Sequence, residues 1–149
     1  MRCGIKDAKR VNLVLSDDSI YIPINGHPCE LADRDSLAEG ILNEDRVYVL
    51  MPDDYSVHIF FPFSLELYTG HSAILPEGRG KKEIKGGKVA LQWMFDETKC
   101  IKIFGFTPIY MKHVVTFNRL LGFIQEGILT NSCIKDGITY DQILFGLSK

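Results

Sequence analysis

Apolar residues fall in short blocks along this chain, and the spacing inside each block predicts its element. Leu37, Ala38, Ile41 and Leu42 recur at the interval of one helix face, so residues 33–42 are predicted helical, with Asp33 or Asp35 as the N-cap. Beyond Asn43 the pattern changes. Residues 47–51 are rich in β-formers, Pro52-Asp53-Asp54-Tyr55 is a turn by composition, and residues 57–61 read as the returning strand of an antiparallel hairpin. A third strand-like run covers residues 65–75. After the loop Pro76-Glu77-Gly78-Arg79-Gly80 a helix is clearest over residues 88–97, with Val89, Ala90, Trp93 and Met94 on one face. Residues 100–106 alternate as a strand. Residues 111–121 carry the helical stripe Val114, Val115, Phe117, Leu120 and Leu121, and two strands joined at the hairpin turn Asp136-Gly137 close the chain. Near the start, residues 11–15 alternate weakly and are predicted as a first strand. Asp17-Asp18-Ser19 breaks that run before Ile20-Tyr21-Ile22, and Asn25-Gly26-His27-Pro28 makes a turn.

The predicted order is strand, helix, three strands, helix, strand, helix, two strands. Three successive strands suggest an antiparallel meander, and the strand–helix–strand in the middle suggests a parallel crossover. Together they predict an α/β (α+β) fold with a mixed, mostly antiparallel sheet of about six or seven strands flanked by three or four helices. With 149 residues and no Gly/Ser/Pro linker, the expectation is a single domain over residues 1–149.

Composition narrows the partners. The formal charge of -2 gives no general basic bias toward nucleic acid. No apolar run reaches the roughly 18 residues a membrane helix needs, and Met1-Arg2-Cys3-Gly4-Ile5 is not the start of a signal peptide. Cys3, Cys29, Cys100 and Cys133 are scattered without a C-x-x-C pair or a histidine at metal spacing. They predict no zinc site and a reducing, intracellular setting, with Cys100 and Cys133 as buried thiols.

Two stretches carry the chemistry. In Leu75-Pro76-Glu77-Gly78-Arg79-Gly80-Lys81-Lys82-Glu83-Ile84 a glycine-bearing basic turn leads from a strand toward a helix. In the tail, Phe104-Gly105-Phe106 precedes a helix ending Leu121-Gly122-Phe123, then Gln125-Glu126-Gly127, Lys135-Asp136-Gly137 and Ile143-Leu144-Phe145-Gly146-Leu147. This series resembles the end of the GNAT superfamily of acyl-CoA N-acyltransferases, most closely its ribosomal-protein acetyltransferase branch.

The resemblance implies acetyl-CoA as cofactor. On that resemblance it would be held by the backbone about His71 to Leu75, including Ile74 and Leu75, and by Arg79, Gly80, Lys81 and Lys82 at the following helix start. The first amides of a helix lack internal partners and carry partial positive charge, which suits a pyrophosphate. If Arg79 opens the family's Gln/Arg-x-x-Gly-x-Gly/Ala signature, its two small positions are Lys82 and Ile84, and neither is small. Sliding the frame to Gly86-Gly87 restores glycine but displaces the loop from the helix. The tyrosine that the family uses to protonate the leaving thiolate is Asn118 here. Candidate bases for accepting the amine's proton are Glu66 and His71, on the strand leading to the loop; His71 has the opposite parity to Glu66 and Tyr68.

Over nearly its whole length the chain also resembles a small family of tailed-phage head-assembly proteins with GNAT-like architecture. That resemblance implies phage structural proteins as partners, and a place in the host cytoplasm or the virion. Two readings stand at this point. One is a virion-assembly protein on an acyltransferase fold with a degenerate or modified acyl-CoA site. The other is an active acetyl-CoA-dependent N-acetyltransferase, a transferase acting on a protein amine.

Overall fold

The computed structural model describes residues 1–20 and 36–149. Helix α1 spans Ala8–Leu15 and α2 spans Leu37–Leu42; strands β1 (Tyr48–Leu50), β2 (Ser56–Pro62) and β3 (Leu67–Ile74) follow. Then come α3 (Lys81–Glu97), β4 (Lys102–Pro108), α4 (Lys112–Leu121), β5 (Ile124–Lys135) and β6 (Ile138–Ser148). The six strands form one sheet in the order β1-β2-β3-β4-β6-β5. Every neighbouring pair is antiparallel except β3–β4. The predicted mixed, mostly antiparallel α/β class is the one observed.

Strand alternation builds two cores. Val49, Met51, Val57, Ile59 and Ala73 point to the side where Val11, Val14 and Ala38 of α1 and α2 pack. Leu50, Phe60, Tyr68 and Ile103 point the other way, onto Ala90, Leu91, Met94 and Phe95 of α3. Because β2 is covered on both faces, it reads as the nearly unbroken apolar run Val57-His58-Ile59-Phe60-Phe61.

The predicted first strand is a helix. A strand would put Val11, Leu13 and Leu15 on one face, whereas Val11 and Val14 are buried at 0% and 1% and Leu13 is 67% exposed. That is the i, i+3 arithmetic of α1, which begins among helix-compatible residues Ala8-Lys9-Arg10 that the strand reading left out. Residues 1–3 instead lie along the sheet edge: Arg2 bridges Leu50, and the Cys3 amide donates to Val49 O at 2.8 Å. Cys133 is half-buried rather than fully buried. Ile20-Tyr21-Ile22 extends past the described residues, and Asn25-Gly26-His27-Pro28, Cys29 and both proposed caps Asp33 and Asp35 lie outside them.

Helix α3 starts seven residues before its clearest apolar stretch. Gly86 and Gly87 weaken the helical pattern in the sequence, but both serve close packing. A Cβ on Gly86 would lie 3.2 Å from Pro52 Cγ, and one on Gly87 would lie 2.8 Å from Leu121 Cδ2. They let α3 sit down on the β1–β2 turn and on α4. Helix α4 ends at Gly122 in the left-handed region (φ 98), with the Phe123 amide returning to Asn118 O at 3.0 Å.

Candidate functional site

Strands β3 and β4 run side by side only briefly. Their register covers Leu67↔Lys102, Tyr68↔Ile103 and Thr69↔Phe104 and then stops, although β3 continues to Ile74 and β4 to Pro108. Two glycines stand at the fork, where a Cβ on Gly105 would meet Gly70 O at 3.4 Å. Past it, the backbone groups of residues 70–74 that point away from β2 have no β4 partner. A wedge results, lined by main-chain donors and acceptors that must find a partner elsewhere.

The wedge opens toward the start of α3. After β3, Pro76–Gly78 forms a 3-10 turn, Arg79 is extended, and Gly80 takes φ 82, ψ -132 as the N-cap. A Cβ on Gly80 would touch nothing within 4 Å, so glycine is required there by backbone conformation alone. No side chain among the described residues caps α3, and the Ile84 amide donates back to Gly80 O at 3.4 Å. The amides of Lys81, Lys82 and Glu83 therefore face outward with the positive end of a 17-residue helix behind them.

Tyr55 organises this loop and carried no signal in the sequence. Its carbonyl accepts the Leu75 amide at 2.9 Å, and its Cβ lies 2.6 Å from where a Cβ on Gly78 would be. Its ring holds the Lys82 ammonium 4.9 Å from the centroid. The Lys82 ammonium is thus engaged by the Tyr55 ring. Gly86-Gly87 sit buried within α3, so the frame beginning at Arg79 is the one that coincides with the helix start.

On the α3 side, the wedge presents Ser72 and Ile74 from β3 and Gly105 and Thr107 from β4. Asn118 of α4 donates from Nδ2 to Thr107 Oγ1 at 3.0 Å. On the opposite side lie Thr69 and His71 with Phe104 and Phe106, whose rings are 6.4 Å apart and nearly perpendicular. Phe63 meets Phe104 edge-on at 5.1 Å, and Lys102 pairs with Glu126 at 2.5 Å on this same side. The His71 ring lies edge-on to Phe61 at 5.5 Å, and desolvation lowers its pKa below the ordinary histidine value, leaving it a neutral acceptor at pH 7.

Of the two candidate bases, His71 stands beyond the fork. Glu66 does not: β3 begins at Leu67, so Glu66 sits exposed in the β2–β3 turn, at the closed end of the wedge. Ile74 and Leu75 lead into the loop, and Arg79, Gly80, Lys81 and Lys82 surround the α3 start. Trp93 packs into the core, 5.8 Å from Tyr48. Depressions of about 360 Å³ beside Arg2, Cys3 and Arg46 and about 500 Å³ beside Arg10, Tyr55 and Glu77 lie outside the wedge.

Solved acetyltransferases share this overall fold. A ribosomal-protein-S5-alanine acetyltransferase from Vibrio fischeri superposes with TM-score 0.73 over 99% of this chain and 91% of its own, at 14% identity. A GNAT-family acetyltransferase from Bacillus anthracis gives 0.76 over 99% and 92%, at 15% identity. This chain has the GNAT fold. The microcin C7 self-immunity acetyltransferase, solved with acetyl-CoA and AMP, shares that GNAT fold at TM-score 0.73 and 15% identity, over 98% of this chain and 89% of its own. No protein-family model and no curated protein sequence matches the chain. No helix among the described residues is long and apolar enough to cross a membrane.

Proposed function

We propose that the chain is an acetyl-CoA-dependent N-acetyltransferase. The observation that carries this reading is the meeting of two backbone surfaces left unpaired among the described residues, the β3 side of the wedge and the uncapped start of α3. Their spacing along one path suits a ligand with an amide-rich arm and a pyrophosphate. Bound acetyl-CoA supplies an acetyl group activated as a thioester.

The residues present fit that ligand. Amides of Lys81, Lys82 and Glu83 would take the pyrophosphate, with Arg79 and Lys81 adding charge. Lys82 stands where the family has a small residue, and its ammonium lies over the Tyr55 ring. The free amides of residues 70–74 would hold the arm and polarise the thioester carbonyl, a task that needs no side chain. His71, neutral and beyond the fork on the side of Phe104 and Phe106, would line the approach of the acceptor amine. The exposed aromatic surface of Phe63 (69%) and Phe106 (47%) beside it favours an acceptor amine carried on an apolar or peptide-like body over a small polar polyamine.

The virion-assembly reading and its phage partners draw no support from these comparisons. Calorimetry of the full chain with acetyl-CoA should give saturable binding in the micromolar range. Arg79→Ala should weaken it by about tenfold, the effect of removing one charge-assisted contact of about 1.4 kcal/mol. Transfer of labelled acetyl to peptide amines, ahead of polyamines, completes the test. Absence of binding at millimolar acetyl-CoA would remove the proposal.

A further inference from the structure

Ser72 and His58 form a pair that the roles above leave unused. They face each other across β2 and β3, directly opposite in register. His58 Nδ1 and Ser72 Oγ are 2.8 Å apart. His58 is 2% exposed, and its Nε2 is buried without a hydrogen-bond partner among the described residues. Ser72, by contrast, is exposed, and it lies on the stretch of β3 beyond the fork where β4 has turned away.

Other polar groups packed nearby are already engaged. Asp53 accepts from the Ser56 hydroxyl at 2.7 Å and the Tyr55 amide at 2.9 Å. Asn118, at the position of the family's acid, has only an amide to offer and spends it on Thr107.

The tautomer of His58 decides what Ser72 presents. A neutral imidazole carries one N–H. If the proton were on Nε2, a donor would be buried with nothing to receive it; on Nδ1, only a lone pair is left unpaired. Orphaned buried N–H groups are the rarer of the two. The proton therefore belongs on Nδ1, donating to Ser72 Oγ, and the hydroxyl turns its own hydrogen outward. The result is an oriented O–H donor on the wedge strand, held from behind by a buried ring that stays neutral.

Resting on the acetyltransferase reading, we infer that Ser72 is the proton-transfer residue of this wedge, oriented by His58. In the step it serves, an N–C bond forms between acceptor amine and acetyl carbon, and the C–S bond of the thioester breaks. The amine's proton passes to Ser72 Oγ as the proton already there passes to the departing sulfur. Ser72 ends as it began, and His58 keeps its Nδ1 proton throughout. The relay needs no strong acid, which accounts for an asparagine at position 118.

The test uses the full chain, with acetyl-CoA and a peptide amine as substrates. Ser72→Ala should lower kcat by about 100-fold, in the range typical of lost proton transfer. Its acetyl-CoA Kd by calorimetry should stay within about threefold of the parent, since the hydroxyl acts during reaction rather than in binding. Ser72→Thr, which keeps a hydroxyl, should recover most of the rate. Independently of turnover, imidazole ¹⁵N shifts should show His58 protonated at Nδ1, and Ser72→Ala should shift that resonance. A proton on Nε2, or a Ser72→Ala enzyme with the parent's kcat, overturns the relay while leaving acetyl transfer standing. A parent chain that transfers no acetyl group to any amine takes down the acetyltransferase reading and the relay together.

Discussion

Lowering the pH should destabilise this fold through one residue. Burial pushes the His58 pKa from the ordinary 6.5 to about 4, and the nearby Asp53 carboxylate opposes that shift only in part. In the unfolded chain the ring titrates near 6.5, so between those two values the unfolded state binds more protons than the folded one. Stability then rises with pH: the contribution is fully present above 6.5 and is lost as pH falls toward 4. At about 1.4 kcal/mol per pH unit the whole window is worth roughly 3 kcal/mol, of which about 2 kcal/mol lies between pH 7 and 4.5. Carboxylates add their own dependence, and the lowered pKa of His71 adds one of the same sign. The measurement is therefore a difference. Urea denaturation of the parent and of His58→Gln at pH 7 and 4.5 should show the parent losing about 2 kcal/mol more than the variant. Parallel losses in the two proteins would refute the reasoning, because His58 would then be charging in the folded state or hydrating through an opening of β2.

Two glycine substitutions probe the loop and the helix behind it. Gly80→Ala forces a side chain into φ 82, ψ -132; it should cost about 1–3 kcal/mol by thermal denaturation and should weaken acetyl-CoA binding, since the α3 start would be re-aimed. Gly87→Ala places a methyl 2.8 Å from Leu121 Cδ2 and 3.3 Å from Phe117 Cζ, and should destabilise by about 1–3 kcal/mol through overpacking between α3 and α4. Adding Leu121→Ala should recover part of that loss, a coupling that double-mutant denaturation reads directly.

Most of the architecture was legible because local signals agreed with the final packing. Asp136 and Gly137 adopt φ 51 and 76, the left-handed pair that an Asp-Gly hairpin turn requires. Leu121-Gly122-Phe123 closes α4 with glycine in the left-handed region, as the sequence implied. The misreadings arose where one pattern imitated another. Over residues 11–15 a short valine- and leucine-rich run has too few positions to separate period 2 from period 3.6, and the deciding residue, Ala8, precedes it. At Gly86-Gly87 the apolar stripe fades, so the helix is clearest only from residue 88, and the nearness of Pro52 and Leu121 explains the two glycines inside α3. The site was legible as a loop and not as an arrangement. Nothing local pairs His58 with Ser72, because the residues are 14 apart in sequence and meet only through the register of β2 and β3. Tyr55 was hidden in the same way. Its importance to the Leu75–Lys82 loop comes from cross-chain packing that a turn motif does not reveal.

The three-pair contact between β3 and β4 has a mechanical consequence. It divides the sheet into a meander of β1, β2 and β3 and a second block of β4, β6 and β5, joined by a seam far shorter than the seven-pair ladders on either side. Few main-chain bonds therefore hold the two blocks together across the middle of the sheet, and what keeps them in place beyond Thr69 and Phe104 is packing rather than a ladder.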